Sequence, residues 1–152
     1  SVASIWAYVE QFDEIKNNFH VKDCIFKREE FKDVIDRMED PDVCLFSHYL
    51  WNDNYNLELA KLIKERWPNV HIVFGGPQVD ETASNFLLVN PHVDTVVINE
   101  GEVSLHTLLK DYLENDVKPI YHVARRVQLE GLPSPFTDSN ILQKIVYSKE
   151  VL

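Results

Sequence analysis

Residues 43–79 specify two buried strands with a helix between them: VCLFSHYLWNDNYNLELAKLIKERWPNVHIVFGGPQV. VCLFS and VHIVF are short apolar runs, which are typical of strands buried on both faces of a parallel sheet. Between them, apolar side chains recur at helical spacing from Leu59 to Trp67, and Pro68 ends the helix. This pattern predicts a strand, a helix and a second strand that lies parallel to the first.

The same alternation continues in both directions along the chain. Apolar spacing predicts helices near residues 5–12, 31–38, 83–87 and 105–113, and strands at VKDCIF (21–26), VDTVVI (93–98) and the edge strand IYHVA (120–124). A strand through residues 2–9 is the competing interpretation of the first helix. Strands that alternate with single helices predict an α/β fold with a doubly wound, mostly parallel sheet, flavodoxin-like or Rossmann-like. Because such folds normally open on the innermost strand, we expect the first strand to be missing.

Composition excludes several functional classes. The chain has 152 residues, 45% of them hydrophobic, which is enough apolar material for the core of one domain. Its 15 basic and 25 acidic residues give a net charge of −10, which would repel a phosphate backbone, so nucleic acid is not an expected partner. The sequence has no apolar stretch of roughly 20 residues and no signal-peptide pattern. We therefore expect a soluble, cytoplasmic chain without a membrane partner.

Catalytic and metal-binding motifs are missing from the sequence. Cys24 and Cys44 show no zinc-type spacing, and their apolar neighbours favour buried, reduced thiols over a disulfide. Two cysteines cannot supply the ligands of a four-iron cluster. The six histidines show no metal-site spacing, and the chain lacks the GxGxxG, P-loop and GxSxG motifs. No catalytic residue and no metal ligand is assigned.

The polar and glycine-rich segments follow the predicted strands. Ligands of open parallel sheets bind outside the carboxyl ends of the strands, and three of the four glycines lie there. The candidate cofactor-binding residues are Ser47, His48, Tyr49, Leu50, Trp51, Asn52 and Tyr55 after VCLF, Gly75, Gly76, Pro77, Gln78 and Val79 after VHIVF, and Asn99, Glu100, Gly101 and Glu102 after VDTVVI.

Simpler structural roles compete with ligand binding in the first two segments. Gly75 and Gly76 fit a tight turn as well as a platform that lets a bulky ligand approach the backbone. Aromatic and amide side chains near Trp51 suit a large ligand that carries many amides. Alternatively, Asn52 or Asp53 caps the following helix and Trp51 closes the sheet edge as a hydrophobic staple.

Charged and titratable candidates have similar alternatives. Glu100 and Glu102 fall in a first helical turn, where acidic side chains interact favourably with the helix dipole. A small α/β enzyme that uses one of them as general base is a third hypothesis. For His48, a structural or solvent-exposed histidine is favoured over a metal ligand.

A set of motifs carries a family resemblance from about Asp23 to Phe136. The ordered set is S-x-Y-x-W-N (47–52), GGPQV (75–79), NP-x-VD (90–94), EGE (100–102) and LPSP (132–135). With these motifs the chain resembles the cobalamin-binding, Rossmann-like N-terminal domain of cobalamin-dependent radical S-adenosylmethionine (SAM) enzymes.

The resemblance implies a corrinoid held by the loops at the strand ends. Its nucleotide tail would pass beside the sheet near Gly75 and Gly76, residues 47–52 would lie near the corrin, and residues 99–102 near the opposite rim. The DxHxxG motif of other cobalamin domains is missing, which implies base-off binding without a histidine ligand. The sequence departs from the family at Asn99, where glycine is commoner, and at His48, where a smaller residue is commoner.

The resemblance also implies the domain organisation. Residues 1–127 would form the cobalamin-binding domain, and residues 128–152 a linker toward an absent radical SAM barrel. The full-length protein would also hold an iron-sulfur cluster and SAM, for methyl transfer or radical chemistry. Because the CxxxCxxC motif of that barrel is missing, we do not expect the isolated chain to be catalytic. The alternative hypothesis is a cofactor-free, flavodoxin-like protein-interaction domain with an acidic docking surface.

Overall fold

A computed structural model describes residues 2–22, 24–79, 82–122 and 132–137. The helices are α1 (Val2–Val9), α2 (Asp13–Lys16), α3 (Phe31–Arg37), α4 (Asp53–Arg66), α5 (Ala83–Val89) and α6 (Gly101–Leu113). The strands are β1 (Val43–Ser47), β2 (His71–Gly75), β3 (Thr95–Val97) and β4 (Ile120–Tyr121). They form one parallel sheet in the order β1-β2-β3-β4. Within these ranges, no helix is both long and apolar enough to cross a membrane.

Helices cover both faces of the sheet. In β2, Ile72 and Phe74 point to one face, which we call the α4 face, and pack with α3, α4 and α5. Val73, between them, points to the other face, which we call the α6 face, and packs with α1, α2 and α6. This alternation is the period of two that an extended strand imposes on its side chains. The predicted doubly wound α/β architecture is therefore confirmed, with α1 a helix rather than the alternative strand.

The four strands end in one row. Ser47 lies opposite Gly75, Gly75 opposite Val97, and Val97 opposite Tyr121. Neighbouring strands lie about 4.8 Å apart, so this row is roughly 15 Å long. The loops that follow all four strands therefore leave the sheet at the same edge, which we call the carboxyl edge.

The predicted strand VKDCIF is wrong for its described residues, which form no strand. Val21 and Cys24 pack in the cluster on the α6 face, whereas Ile25 packs in the cluster on the α4 face. The segment thus passes from one face of the sheet to the other. Its apolar residues belong to two different layers, although their spacing in the sequence is typical of a short strand.

Burial of β1 on both faces was also predicted, and this prediction is wrong. Cys44 and Phe46 pack against the α4 face, but Leu45 on the opposite face is 41% exposed. Among the described residues β1 pairs only with β2, so it is an edge strand. Whether a further strand completes the sheet beside β1 stays a prediction.

The NP-x-VD motif lies at the opposite edge of the sheet and is structural. Asp94 Oδ2 accepts the main-chain N–H of Ile72 at 2.7 Å and pairs with Lys64 Nζ at 2.8 Å. Lys64 also donates to the carbonyl of Val70 at 2.7 Å. The motif therefore fixes α4 against the starts of β2 and β3.

The predicted linker, residues 128–152, falls mostly outside the described residues. Its described part, 132–137, contains a turn and neither helix nor strand. The domain boundary at residue 127 stays a prediction.

Candidate functional site

Three loops and one histidine form the carboxyl edge. We call them the β1 loop (48–52), the β2 loop (76–79) and the β3 loop (98–100), and His122 directly follows β4. All but two of the predicted site residues lie in these loops or directly beside them. The exceptions are Tyr55, in the first turn of α4, and Glu102, in the first turn of α6.

Side-chain amides close the β1 loop from within. Asn52 accepts the N–H of Tyr49 through Oδ1 at 2.8 Å and donates from Nδ2 to the carbonyl of Ser47 at 2.9 Å. Asn56 donates to the same carbonyl at 2.9 Å. The expected side-chain cap at Asn52 is therefore wrong, because its amide closes the loop instead of capping α4. Both side-chain amides therefore stabilise the shape of the loop, and their hydrogen bonds are made within it.

The tip of the β1 loop is apolar and open. Leu50 is 77% and Trp51 68% exposed, and the Trp51 ring stacks on Tyr49 with centroids 4.5 Å apart. Arg28 donates to the carbonyl of Trp51. The alternative interpretation of Trp51 as a hydrophobic staple is wrong, since most of its surface faces outward. The loop thus presents flat apolar surface at the carboxyl edge.

Tyr55 faces away from this tip. Its hydroxyl donates to the carbonyl of Glu29 at 3.0 Å and accepts the N–H of the same residue at 3.2 Å. Its ring stacks on Phe31, with centroids 5.0 Å apart. Tyr55 therefore holds the segment before α3 against α4.

His48 is a buried residue of the β1 loop. Its side chain is 3% exposed, and its ring contacts Phe74 and Phe86 edge-on, with centroids 5.1 and 5.4 Å apart. Nε2 lies 3.0 Å from Asp53 Oδ1. Burial lowers the pKa of His48, and the nearby Asp53 carboxylate offsets part of this effect. The imidazole is thus a neutral, inward-facing group at neutral pH.

Gly76 lets the β2 loop lie directly against the β1 loop. Its φ is 124°, and a Cβ at this position would lie 2.6 Å from the carbonyl oxygen of His48. Gly75 differs, because its Cβ would meet Val97 Cβ at 3.4 Å. The backbone of His48 therefore fills the space that Gly76 leaves, and loop packing alone already requires this glycine.

The rest of the β2 loop divides into an inner and an outer part. Val79 is buried in the core on the α4 face, and its N–H donates to the carbonyl of Gly76 at 3.0 Å. Pro77 and Gln78 are exposed. The outer pair is the part of this loop that a ligand can reach.

Asn99 in the β3 loop adopts a left-handed backbone with φ of 66°. Its side-chain Nδ2 lies 2.7 Å from Nε2 of His122, and both residues are exposed. Left-handed backbone favours glycine and, among other residues, asparagine. This conformation explains why asparagine can stand at a position where the resembled family more often has glycine.

The EGE motif begins α6. Glu102 lies in the first turn, as the helix-dipole interpretation requires, whereas Glu100 is the exposed N-cap residue just before that turn. A Cβ on Gly101 would lie 2.6 Å from Cδ1 of Ile5 in α1. Gly101 therefore permits close packing of α6 against α1.

Sequence reasoning missed two residues of this edge. No motif marks His122, although its position directly after the predicted edge strand is a usable signal. The sequence indicates Asp53 only as a helix cap, whereas it pairs with the His48 ring. Among the described residues, no three His, Cys, Asp or Glu side chains are grouped as a metal site.

Comparisons with known proteins identify the family. Residues 6–109 match the B12 binding domain family. The chain is 36% identical over 130 residues to the cobalamin-dependent radical SAM methyltransferase TokK of Streptomyces tokunonensis. It is 30% identical over 128 residues to the 2-(S-pantetheinyl)-carbapenam-3-carboxylate methyltransferase of Streptantibioticus cattleyicolor. These matches cover 84% and 83% of this chain.

The chain spans 19% of the length of each of these two relatives. Among solved structures, it is similar to the N-terminal domain of a hypothetical protein of Thermotoga maritima, with 21% identity and a TM-score of 0.48, over 80% of this chain and 88% of that one. The family match favours the cofactor-binding hypothesis over a cofactor-free interaction domain. The chain belongs to the B12 binding domain family and is a cobalamin-binding module.

Proposed function

We propose that the chain holds cobalamin across the carboxyl edge, as the cofactor-holding part of a radical SAM methyltransferase. The exposed pair Leu50 and Trp51 is the observation that carries this proposal. Two large apolar side chains exposed side by side suit the body of a large, flat ligand, because burying them removes apolar surface from water.

Polar groups near this pair suit the periphery of the same ligand. Gln78 and Asn99 present exposed amides in the two neighbouring loops, and amides can both donate to and accept from the amide side chains of a corrin. The edge is about 15 Å long, which is wide enough for several such contacts. These residues bind and orient the cofactor, and Ser47, Asn52 and Asn56 keep the β1 loop in shape for it.

The proposed binding mode is base-off, without a histidine of this chain on cobalt. Two histidines lie at the carboxyl edge: the ring of His48 is buried and paired with Asp53, and Nε2 of His122 accepts from Asn99. When bound, cobalamin supplies the cobalt that carries a methyl group, and the protein residues orient it.

We further propose that residues 128–152 lead to a radical SAM barrel in the same protein, with an iron-sulfur cluster and SAM. The support is the length of the two relatives, of which this chain matches only 19%. The isolated chain would then bind its cofactor without turnover. A CxxxCxxC motif encoded downstream of Leu152 in the parent gene is the expected finding, and a downstream region without one would contradict this part.

Titration with hydroxocobalamin tests binding. The 152-residue chain is expected to change the visible spectrum of the cofactor and to comigrate with it on gel filtration. The double variant Leu50→Ala/Trp51→Ala should bind at least about tenfold more weakly, since burying one large apolar side chain contributes roughly 1.5–3 kcal/mol.

Leu88→Ala is the matched control, because Leu88 on α5 is 78% exposed and lies outside the carboxyl-edge loops. Its affinity should equal that of the unmodified chain. Equal losses in both variants would place the ligand elsewhere, and a chain that neither shifts the spectrum nor comigrates would contradict the binding site itself.

A further inference from the structure

The main chain of His48 connects two loops of the carboxyl edge. Its N–H donates to the carbonyl of Gly75 at 2.7 Å, and its own carbonyl accepts the N–H of Gln78 at 3.4 Å. The missing side chain of Gly76 leaves room for its backbone. The main chain of this one residue thus joins the β1 loop to the β2 loop.

The ring of His48 holds that main chain in place. The ring packs against Phe74 of β2 and Phe86 of α5, and its Nε2 pairs with the carboxylate of Asp53 in the first turn of α4. Asp53 does not belong to either loop, and 42% of its side chain is exposed. Substitution of Asp53 can therefore release the ring without creating a cavity in the core.

We propose that His48 is a positioning residue for the cobalamin site: paired with Asp53, it fixes the β1 and β2 loops relative to each other and does not contact cobalt. This inference rests on the proposed function. A histidine whose second nitrogen is bonded to a carboxylate is also a common form of metal ligand, so the alternative role has to be excluded.

Burial argues against the ligand role. With Nε2 paired to Asp53, only Nδ1 could reach a metal, and this atom is buried without a hydrogen-bond partner among the described residues. The ring contacts Phe74 and Phe86, which belong to the core on the α4 face. A cobalt ion in a large corrin ring could reach Nδ1 only if this packing were opened.

Hydrogen exchange in the cofactor-free chain tests the coupling of the loops. Asp53→Ala should accelerate exchange of the Val79 amide, in the β2 loop, by about tenfold, the effect of losing one hydrogen bond to a charged group. Asp53→Asn keeps an acceptor for Nε2 and should behave like the unmodified chain. Asn54→Ala, at the next and exposed position of α4, is the control. Faster exchange confined to α4 would overturn the coupling.

Hydroxocobalamin affinity and spectroscopy test the role toward the cofactor. Asp53→Ala and His48→Ala should each weaken binding about tenfold. The double variant should bind no more weakly than the weaker-binding single variant, because both changes remove the same interaction. His48→Gln retains an N–H donor and should recover most of the loss. If Asp53→Asn binds as weakly as Asp53→Ala, the helix dipole rather than the pairing is responsible, and the proposal fails.

Electron paramagnetic resonance of bound cob(II)alamin separates positioning from ligation. The spectra of the unmodified chain and of His48→Gln should show the same cobalt pattern without nitrogen splitting. Nitrogen splitting that disappears in His48→Gln would identify His48 as a cobalt ligand and overturn the proposal. If the unmodified chain does not bind cobalamin, the proposed function fails, and the exchange experiment still decides whether His48 couples the loops.

Discussion

The hydroxyl of Tyr121 donates a 2.6 Å hydrogen bond to the carboxylate of Asp111 and thereby ties β4 to α6. The same hydroxyl accepts the N–H of Lys118 at 3.0 Å. Burial and the Asp111 carboxylate raise the pKa of Tyr121 to about 12, so the hydroxyl remains a donor at neutral pH. Because His122 is the next residue, this bond also sets where His122 lies at the carboxyl edge.

Removing this hydroxyl should destabilise the fold. Tyr121→Phe leaves the Lys118 amide and Asp111 without their partner and should lower the free energy of unfolding by about 1–3 kcal/mol. Urea denaturation measures the change. Tyr8→Phe is the control, since the carbonyl of Tyr8, and not its hydroxyl, makes a hydrogen bond within the described part of the chain. An equal loss in both variants would contradict the role of the bond.

Gly76 should not tolerate a side chain, whereas Gly75 should. Gly76→Ala forces a positive φ of 124° on alanine and a contact of 2.6 Å with the His48 carbonyl, so we expect the free energy of unfolding to fall by at least about 1–3 kcal/mol. Gly75→Ala places its Cβ at 3.4 Å from Val97 and should cost much less. Thermal and urea unfolding of both variants compare the two sites, and equal costs would refute the loop contact.

Asn99 should prefer glycine to alanine as its replacement. At φ of 66°, Asn99→Ala should be less stable than Asn99→Gly by about 1 kcal/mol, because a Cβ is disfavoured in left-handed backbone. Both variants lose the contact with His122, so their difference reports the backbone alone. His122→Ala measures the contact separately. Equal stability of the alanine and glycine variants in urea denaturation would argue against the left-handed backbone.

Acid should destabilise the chain before its carboxylates titrate. Burial lowers the pKa of His48, His71 and His92. The unfolded chain protonates these residues near pH 6.5, whereas the folded chain keeps them neutral to lower pH. The unfolded state therefore binds more protons. As the pH is lowered, the free energy of unfolding decreases by at most about 1.4 kcal/mol per pH unit for each histidine.

Urea denaturation between about pH 7.5 and pH 5.5 measures this slope above the carboxylate range. The slope should be shallower in His48→Gln, which removes one of the three imidazoles whose pKa is lowered. His20→Gln, at an exposed position, is the matched control. A stability that rises as the pH falls would have the opposite sign and would contradict the lowered pKa of these histidines.

Periodicity predicted the elements well where one element packs against one layer. The spacing from Leu59 to Trp67 predicted α4, and the apolar runs around Ile72 and Val96 predicted β2 and β3. It failed at VKDCIF, where neighbouring residues pack on opposite faces of the sheet. Local spacing records which residues are apolar, and it does not record which layer receives each of them.

The candidate site could be located from the sequence but not resolved into roles. Parallel strands end at the same edge, so the loops after β1, β2 and β3 were predictable. His48 and Val79 nevertheless point inward, whereas Leu50 and Trp51 point outward. No signal within a loop of five residues distinguishes these directions.

By itself, the sequence determined the strand and helix order from α3 onward, the edge at which the loops gather and the family to which the chain belongs. Only the tertiary structure decided which loop residues are available to a cofactor. The backbone of His48 leaves no room for a side chain at Gly76, and contacts with Asp53 and Phe86 fix the direction of the His48 ring. Gly76 and Phe86 are distant from His48 along the chain, and side-chain direction in a loop is set by such long-range contacts rather than by local periodicity.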